Sequence, residues 1–574
     1  MMKDQISTIK NLPQEYASDP RHFDRTLLHR GYCLTTRCPS SETNTTLRFE
    51  QCVEQHALTP GVKASLQSHF CVSRENKPRN LDRPELIFLA VLGVVLAFNV
   101  VGTLYDILQF GKNTYLQAWS VRYNWQKLIT TYEEGDPRVS SLTAIQGIRV
   151  LLLVLVMMTH SSEIQHKLYL YNPGRLEQFL QQSVTMLIRN GSALVMGFVV
   201  ISNFLFGYSL LVLSKTRKLG LAQLPMCLLH RIIRLAPVHL LVIGFAATWW
   251  RHAGDGPQWS GIVSAESEVC RKKFLSHVFF MHNLINPEEH CLLQTWFLAV
   301  DFQLYVVAAA LSLWLLQTGR RAIPFLTTLF FGSCLLNVVL AYFNDWKSLL
   351  YIMLPENVRT TFHDVPSFYR FYVAPWGSLP SCFLGLLLAH VYFHMQENGF
   401  KIFKYKLLVW TFHLIVPIHV GFILCGNYIK DTKSGFATAL YMGAERPAFA
   451  ALAAFYVLAV ANNVDSVVRR IFAVKLFQIL GRISLPVLML HWCVNMMLVA
   501  SRRTLSEVSV QNIASDLIST IWWTYVLAIP VSLLVEAPIQ KCFNSFVKSR
   551  FVETPTSRPQ TPVKRTRYHR KKSS

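Results

Sequence analysis

Residues 86–108 read LIFLAVLGVVLAFNVVGTLYDIL. Asp106, near the end, is the one charge in the stretch, and the apolar residues form a block rather than a stripe. A surface helix of a soluble protein would keep one polar face. A block of 18 or more apolar residues with few charges is long enough to cross the hydrocarbon core of a bilayer. Ten further blocks of this kind lie at 144–161, 190–214, 233–250, 293–316, 322–343, 377–396, 407–427, 438–461, 482–500 and 517–538. They predict an all-α fold, a polytopic transmembrane helix bundle of about eleven spans. Composition agrees, because 52% of the 574 residues are hydrophobic and 16% charged, against about 25% charged in soluble proteins. Mean hydropathy is +0.29. A soluble chain would have to hide every block in a core, and the blocks exceed the usual length of a buried helix.

Lys and Arg in short loops orient such a chain. With the N-terminus outside, the inner loops collect Lys215, Arg217, Lys218 and Arg231, then Arg320 and Arg321, then Lys401, Lys404 and Lys406, then Arg469, Arg470 and Lys475. The tail also falls inside. From Lys548 onward it holds nine basic residues and one acidic, a net +8 of the chain's +23. A basic tail tethered to a membrane is a solvated cytoplasmic end with some attraction for anionic lipid, and no nucleic-acid partner is expected. The layout is therefore an extracytoplasmic, cysteine-containing segment over 1–84, a first transmembrane helix over 85–110, a membrane domain over 140–540 and a cytoplasmic tail over 541–574.

Six of the twelve cysteines fall outside on this topology: Cys33, Cys38, Cys52, Cys71, Cys270 and Cys291. An even number in an oxidising compartment fits disulfides. The pairing stays open, with Cys270–Cys291 natural within one loop. The sequons at Asn44 and Asn190 also fall outside, Asn190 close to the membrane. An exported segment of this length ordinarily follows a signal peptide, and residues 1–30 contain no apolar core for one. A missing or misassigned start is expected. The endoplasmic reticulum and the plasma membrane both suit disulfides and glycans.

Charges within a bilayer are costly, so they are functional candidates. Arg149 and His160 are eleven positions apart, about 16 Å along a helix and on nearly the same face. Arg149 would lie at the cytosolic end and His160 near the outer one. Either alone also fits a snorkelling Arg or an interfacial His. Arg231 and Arg234 share a helix face at the cytosolic mouth of the fourth span, and two guanidiniums there suit phosphate. The positive-inside rule accounts for them equally well. Asp301 lies in an apolar span towards its outer end, near the expected depth of His160. A carboxylate beside an imidazole orients it and raises its basicity, as general-base chemistry needs. A structural contact between helices is the alternative for Asp301, and likewise for His491 and Glu536.

The order of these features resembles the membrane acyltransferase-3 family. Within it the chain is similar to the animal branch named for nose resistance to fluoxetine. Arg149 to His160 resembles that family's Arg-ten residues-His motif, and HRIIRLAPVH at 230–239 its Arg-x-x-Arg motif. Cys291 through TWFLAVDFQLY resembles the branch's Cys…Trp-Tyr-Leu-x-x-Asp-x-Gln pattern. ISLPVLMLHWCV and VEAP resemble its late His segment and terminal Glu-x-Pro. RGYC at 30–33 and Cys71 are similar to parts of the branch's N-terminal domain. The resemblance covers roughly residues 140–540. Two departures stand out: Ser378, in PWGSLPSCFLG, occupies a position where the branch carries Arg, and Asn462-Asn463-Val464 replaces a Gly-rich stretch.

The resemblance implies transfer of an acyl group from an acyl-CoA-like donor to a hydroxyl-bearing acceptor, with membrane lipids as surroundings. Arg149, Arg231 and Arg234 would hold the donor's phosphates from the cytosol. His160 would act as general base near the outer face, with Asp301 orienting it; an acyl-histidine is the second route. A transporter of lipids or small hydrophobic molecules, or a non-catalytic member of the fold, is the rival reading. No Walker loop, dinucleotide fingerprint, Cys-x-x-Cys pair or His-Glu-x-x-His site occurs, so no metal and no bound cofactor are expected.

Overall fold

The computed structural model describes residues 19–24, 38, 42–56, 81–109, 111, 113–130, 142, 144–400, 402–430 and 432–551. Cys33, Cys71 and the basic tail beyond 551 lie outside them. No β-strand occurs among the described residues, whose only β contact is an isolated bridge between Leu170 and Ser506.

A short helix α1 (Thr45–His56) precedes the first long apolar helix α2 (Arg83–Ile107). The bundle then runs through α3 (Ala144–Glu163), α4 (Gly191–Ser214) and α5 (Leu224–Thr248). A long connection holding α6 (Ala265–Lys272) and α7 (Phe274–Val278) leads to α8 (Trp296–Thr318) and α9 (Ala322–Phe343). Next come α10 (Leu379–Glu397), α11 (Lys406–Ile429) and α12 (Gly435–Ala461). A bent pair, α13 (Lys475–Arg482) and α14 (Ser484–Ala500), precedes α15 (Val510–Val531) and α16 (Ala537–Phe551). Ten helices among the described residues are long and apolar enough to span a bilayer, or eleven if α13 and α14, bent by 71°, count as one span. The chain is an integral, multi-pass membrane protein.

α4 lies at the centre and packs most extensively against α10 and α12. Close approach there depends on Gly385, where a Cβ would stand 2.8 Å from the Val200 carbonyl oxygen. Small residues at helix contacts are how membrane helices gain packing without a hydrophobic drive. Peripheral α2 docks instead through Asn99, whose Nδ2 donates to the Leu534 carbonyl at 2.9 Å. That carbonyl belongs to the π-helical turn Ser532–Glu536, and π turns leave backbone acceptors open.

α5 corrects one boundary. The expected span began at 233, but the helix starts at Leu224 with Pro225 in its first turn. Arg231 therefore sits seven residues inside it, about 10 Å from its start, rather than at its mouth. The charged residues lowered the apparent hydropathy of a segment that turns them inward.

Cys38–Cys52 and Cys270–Cys291 are disulfide-bonded. The loop closed by the second returns towards the bundle. Gln303, seven residues into α8, donates through Nε2 to the Phe280 carbonyl and to Asn283 Oδ1, each at 2.8 Å. Lys273 Nζ donates to the carbonyls of His282 and Asn286, each at 2.8 Å, and to that of Glu289. Irregular backbone packed against a bundle needs such satisfaction from within. Asn44 is exposed and its Oδ1 accepts from Thr46 N at the start of α1. Asn190, in contrast, is buried and donates to Glu445 Oε1 at 3.3 Å. The Asn190 side chain of the second sequon, which lies close to the membrane on the expected topology, is thus packed inside the bundle.

Asp82 caps α2. Its side chain accepts from Glu85 N at 3.0 Å, and Glu85 Oε2 accepts from Asp82 N at 3.1 Å. Arg271 and Arg251 also reach Asp82. The Glu85 amide, then Arg271, hold the Asp82 carboxyl below its ordinary value of 3.8. This stabilisation is present above that ordinary value and is lost as pH falls through the lowered one. We expect Asp82→Ala to cost about 1 kcal/mol, read as faster amide exchange over the first turn of α2. Unchanged exchange there would refute the capping role.

Candidate active site

Arg149 and His160 project from α3 into two cavities in line along the bundle. The cavity at His160 is lined by Glu163, Gln294 and Trp296, with apolar walls that include Val195 and Phe198. The other is lined by Arg149, Arg231, Arg234, His230, Ser202 and Tyr305. Helices α4 and α8 serve both. Phe198 and Ser202, one turn apart on α4, face different cavities, as do Phe297 and Tyr305 on α8. Phe198 and Phe297, with ring centroids 5.9 Å apart, stand at the end of the His160 cavity nearest the arginines.

His160 meets His491 of α14. His160 Nδ1 and His491 Nε2 are 2.8 Å apart, and the rings are nearly parallel at 3°. His491 Nδ1 lies 3.2 Å from the Val487 carbonyl oxygen. A carbonyl only accepts, so this contact assigns the proton of His491 to Nδ1 and leaves Nε2 a lone pair. His160 must then donate from Nδ1, which leaves its Nε2 as the free base. Glu163 Oε2 lies 3.9 Å from that nitrogen. Glu163 follows His160 by three positions, so the HSSE spacing places both on one helix face, a signal legible in the sequence.

Asp301 does not meet His160. Its Oδ1 accepts from Ser202 Oγ at 3.0 Å, and its Oδ2 pairs with Arg231 Nη2. Arg231 also donates to Ser202 Oγ at 2.8 Å and lies over the Tyr305 ring at 4.9 Å. The expected depth of Asp301 was near that of His160, but depth does not fix azimuth. Five residues beyond Trp296 is about 140° around α8, which turns Asp301 towards α4 and α5. Its part is to neutralise and hold Arg231. Arg149 and Arg234 share that cavity, where Arg149 Nη1 donates to Gln146 Oε1 at 3.3 Å. Glu536 is held by Ser532 Oγ at 2.9 Å and interacts electrostatically with Arg234.

Trp492 packs edge-on against His160 at 5.2 Å between centroids. Its Nε1 donates to Glu266 Oε1 at 2.9 Å, the atom that also accepts from Leu292 N at 2.9 Å. Glu266 thus anchors one wall of the imidazole. Burial pushes its carboxyl up, an effect its nearby cation Lys167 and the two hydrogen bonds partly offset. A raised folded value adds stability that is full below the ordinary carboxyl range and is lost as pH rises through the raised value. We expect Glu266→Ala to destabilise by about 2 kcal/mol, because two buried donors lose their acceptor. Glu266→Gln, which keeps an oxygen, should cost less and flatten that pH dependence in thermal unfolding. Equal stability of the alanine variant and the parent would contradict this anchoring.

Ser378 is fully buried. Its Oγ accepts from Arg446 Nη1 at 3.4 Å, and Arg446 Nη2 donates to the Tyr372 carbonyl at 2.9 Å. The Arg446 guanidinium lies 4.3 Å from the centroid of the Tyr372 ring, which lines the His160 cavity. A guanidinium therefore does reach Ser378, delivered by α12. Nothing local to residue 378 announces a partner 68 positions away.

A family model described as an acyltransferase domain matches residues 142–539. The chain is also similar to a protein of Caenorhabditis elegans called nose resistant to fluoxetine protein 6. The two are 22% identical over 567 residues, covering 90% of this chain and 67% of that protein. No solved structure matches. With the family model spanning most of the chain and the helices around both cavities, the protein belongs to the membrane acyltransferase-3 family.

Proposed function

We propose that the protein is an O-acyltransferase that moves an acyl group from an acyl-CoA-like donor to a hydroxyl-bearing acceptor. The observation that carries this reading is the chain from the Val487 carbonyl through His491 to His160, which leaves His160 Nε2 a lone pair facing a cavity. The acceptor hydroxyl gives its proton to Nε2 while its oxygen attacks the thioester carbonyl carbon. The C–S bond then breaks, and the thiolate takes the proton back from His160. Charge on the imidazole spreads to His491 through the hydrogen bond between His160 Nδ1 and His491 Nε2.

Arg149, Arg231 and Arg234 would receive the donor's phosphates, with Asp301 fixing the angle of Arg231. The thioester arm would reach along α4 past Phe198 and Phe297. Apolar walls around His160 suit an acyl chain or a lipid acceptor. On the charge bias of the loops, the arginine end faces the cytosol and the His160 end the lumen or exterior, with the tail cytoplasmic, in the endoplasmic reticulum or plasma membrane.

The test is release of free CoA by purified protein in lipid nanodiscs, supplied with acetyl-CoA or longer acyl-CoAs, with and without a membrane lipid extract. Acceptor-dependent release is expected. Folded protein that releases none with any donor, yet moves a lipid unmodified between leaflets, would overturn the transferase reading in favour of transport.

A further inference from the structure

Three histidines that line neither described cavity converge where the loop closed by Cys270–Cys291 meets α5. His239 projects from the middle of α5, His277 from α7 and His282 from the turn that follows. One ring nitrogen from each lies within 4.8 Å of the others. His239 and His277 are fully buried and His282 nearly so. Neither ring nitrogen of His277 meets a hydrogen-bond partner, while His239 and His282 each have a looser approach to backbone, at His277 and Ser276. Buried polar groups are almost always satisfied, so three imidazoles this poorly paired in one place call for a common partner.

The orientation of His282 shows what that partner requires. Its Nε2 donates to the Thr295 carbonyl at 2.9 Å, which leaves Nδ1 as a lone pair within the cluster. A ligating histidine is held in this way, its far nitrogen bonded to a carbonyl. Lys273, the nearest cation, is engaged by three loop carbonyls, and that clasp fixes the loop carrying the two imidazoles.

We propose that His239, His277 and His282 form a binding site for a divalent transition metal, of which Zn²⁺ fits best. Three neutral imidazoles suit zinc, which accepts a tetrahedral arrangement with a fourth position for water. Ligands on such an ion stand about 3.4 Å apart and bind it in the plane of each ring, so His277 and His282, stacked with ring centroids 3.8 Å apart, must turn as well as close around it. The ion joins the returning loop to α5. It also bears, through His282 and the Thr295 carbonyl, on the turn that presents Gln294 and Trp296 to the His160 cavity. The inference stands apart from the transferase reading.

The test uses the full chain without a histidine tag, purified in detergent micelles and incubated with Zn²⁺ or Co²⁺ alone. One Zn²⁺ per chain is expected by mass spectrometry, and Co²⁺ should show the intense visible absorption of a tetrahedral centre. His239→Gln, His277→Gln and His282→Gln should each weaken binding at least tenfold, while His290→Gln, outside the cluster, should not. If the variants fail to fold, the Co²⁺ spectrum of the parent chain decides alone. Absence of that absorption, or binding that survives the His239→Gln/His277→Gln double substitution, overturns the proposal.

Discussion

His160→Ala should lower acyl transfer by about 10²- to 10⁴-fold, the usual contribution of a positioned general base. The loss belongs in kcat, because the imidazole acts on a proton that moves only in the transition state. His491→Gln distinguishes a base held by a partner from a base that acts alone. Glutamine still offers an acceptor oxygen to His160 Nδ1 but cannot share the imidazolium charge. It should leave KM near its original value, lower kcat by a smaller factor and shift the acidic limb of the pH–rate profile. Mass spectrometry of the parent chain incubated with donor separates the general-base route from an acyl-histidine. An acyl-enzyme on His160 would be trapped without acceptor and detected by its added mass, and a general base leaves none. Full activity in folded His160→Ala protein would remove His160 from the chemistry. A loss in His160→Ala with His491→Gln indistinguishable from the parent would leave His491 as packing.

Asp301→Ala should destabilise the protein by roughly 3–5 kcal/mol, the usual cost of stranding one partner of a buried ion pair. Arg231 and Asp301 are both largely buried, 12% and 8% exposed, so water from the adjoining cavity replaces the missing carboxylate only in part. Arg231→Met should cost a similar amount. The Asp301→Ala/Arg231→Met double variant should regain much of the loss, because a buried pair replaced as a unit is often tolerated. Unfolding in a fixed lipid nanodisc measures all three. Activity gives an independent reading. If Asp301 holds Arg231, Asp301→Asn raises KM for the donor and leaves the pH profile unchanged, since Asn still accepts from Ser202. A displaced pH profile would mean that Asp301 acts on His160 after all. Single and double variants with equal stability would dissolve the ion pair as a structural element.

These two results bear on different ends of one architecture. His160 sits where α3, α4, α8 and α14 enclose an apolar cavity, and Arg231 sits where α4, α5 and α8 enclose a cationic one. α4 and α8 carry no charge of their own towards the first cavity and supply Ser202 and Asp301 at the second. On the proposed reading, the same two helices keep the thioester at one cavity and the phosphates at the other, about three helical turns apart on the spacing of His160 and Arg149.

Span positions were legible because hydrocarbon imposes a length and an apolarity on every helix that crosses it. That requirement acts on each segment alone, so residues 86–108, 322–343 and 407–427 announced themselves without knowledge of their neighbours. Legibility failed where a helix turns charge inward. Arg231 and Arg234 lowered local hydropathy, and the start of α5 was placed nine residues late. It failed also for partners distant along the chain. The contacts of His160 with His491, Asp301 with Arg231 and Ser378 with Arg446 join residues 331, 70 and 68 positions apart. The cluster of His239, His277 and His282 gave no spacing signal, because it forms only when the disulfide-closed loop returns to α5.

By itself, then, the sequence determined that the chain is a membrane-embedded helix bundle, which residues in it bear charge or imidazole at depth, and which family's motif order it shares. Those properties are set by solvent and by spacing along one helix. Only the tertiary structure decided which charged and imidazole groups face one another, that His491 rather than Asp301 stands against His160, and that Asn190 is closed off. Each of these depends on the rotation of a helix about its axis, which packing between distant segments fixes and hydropathy leaves open.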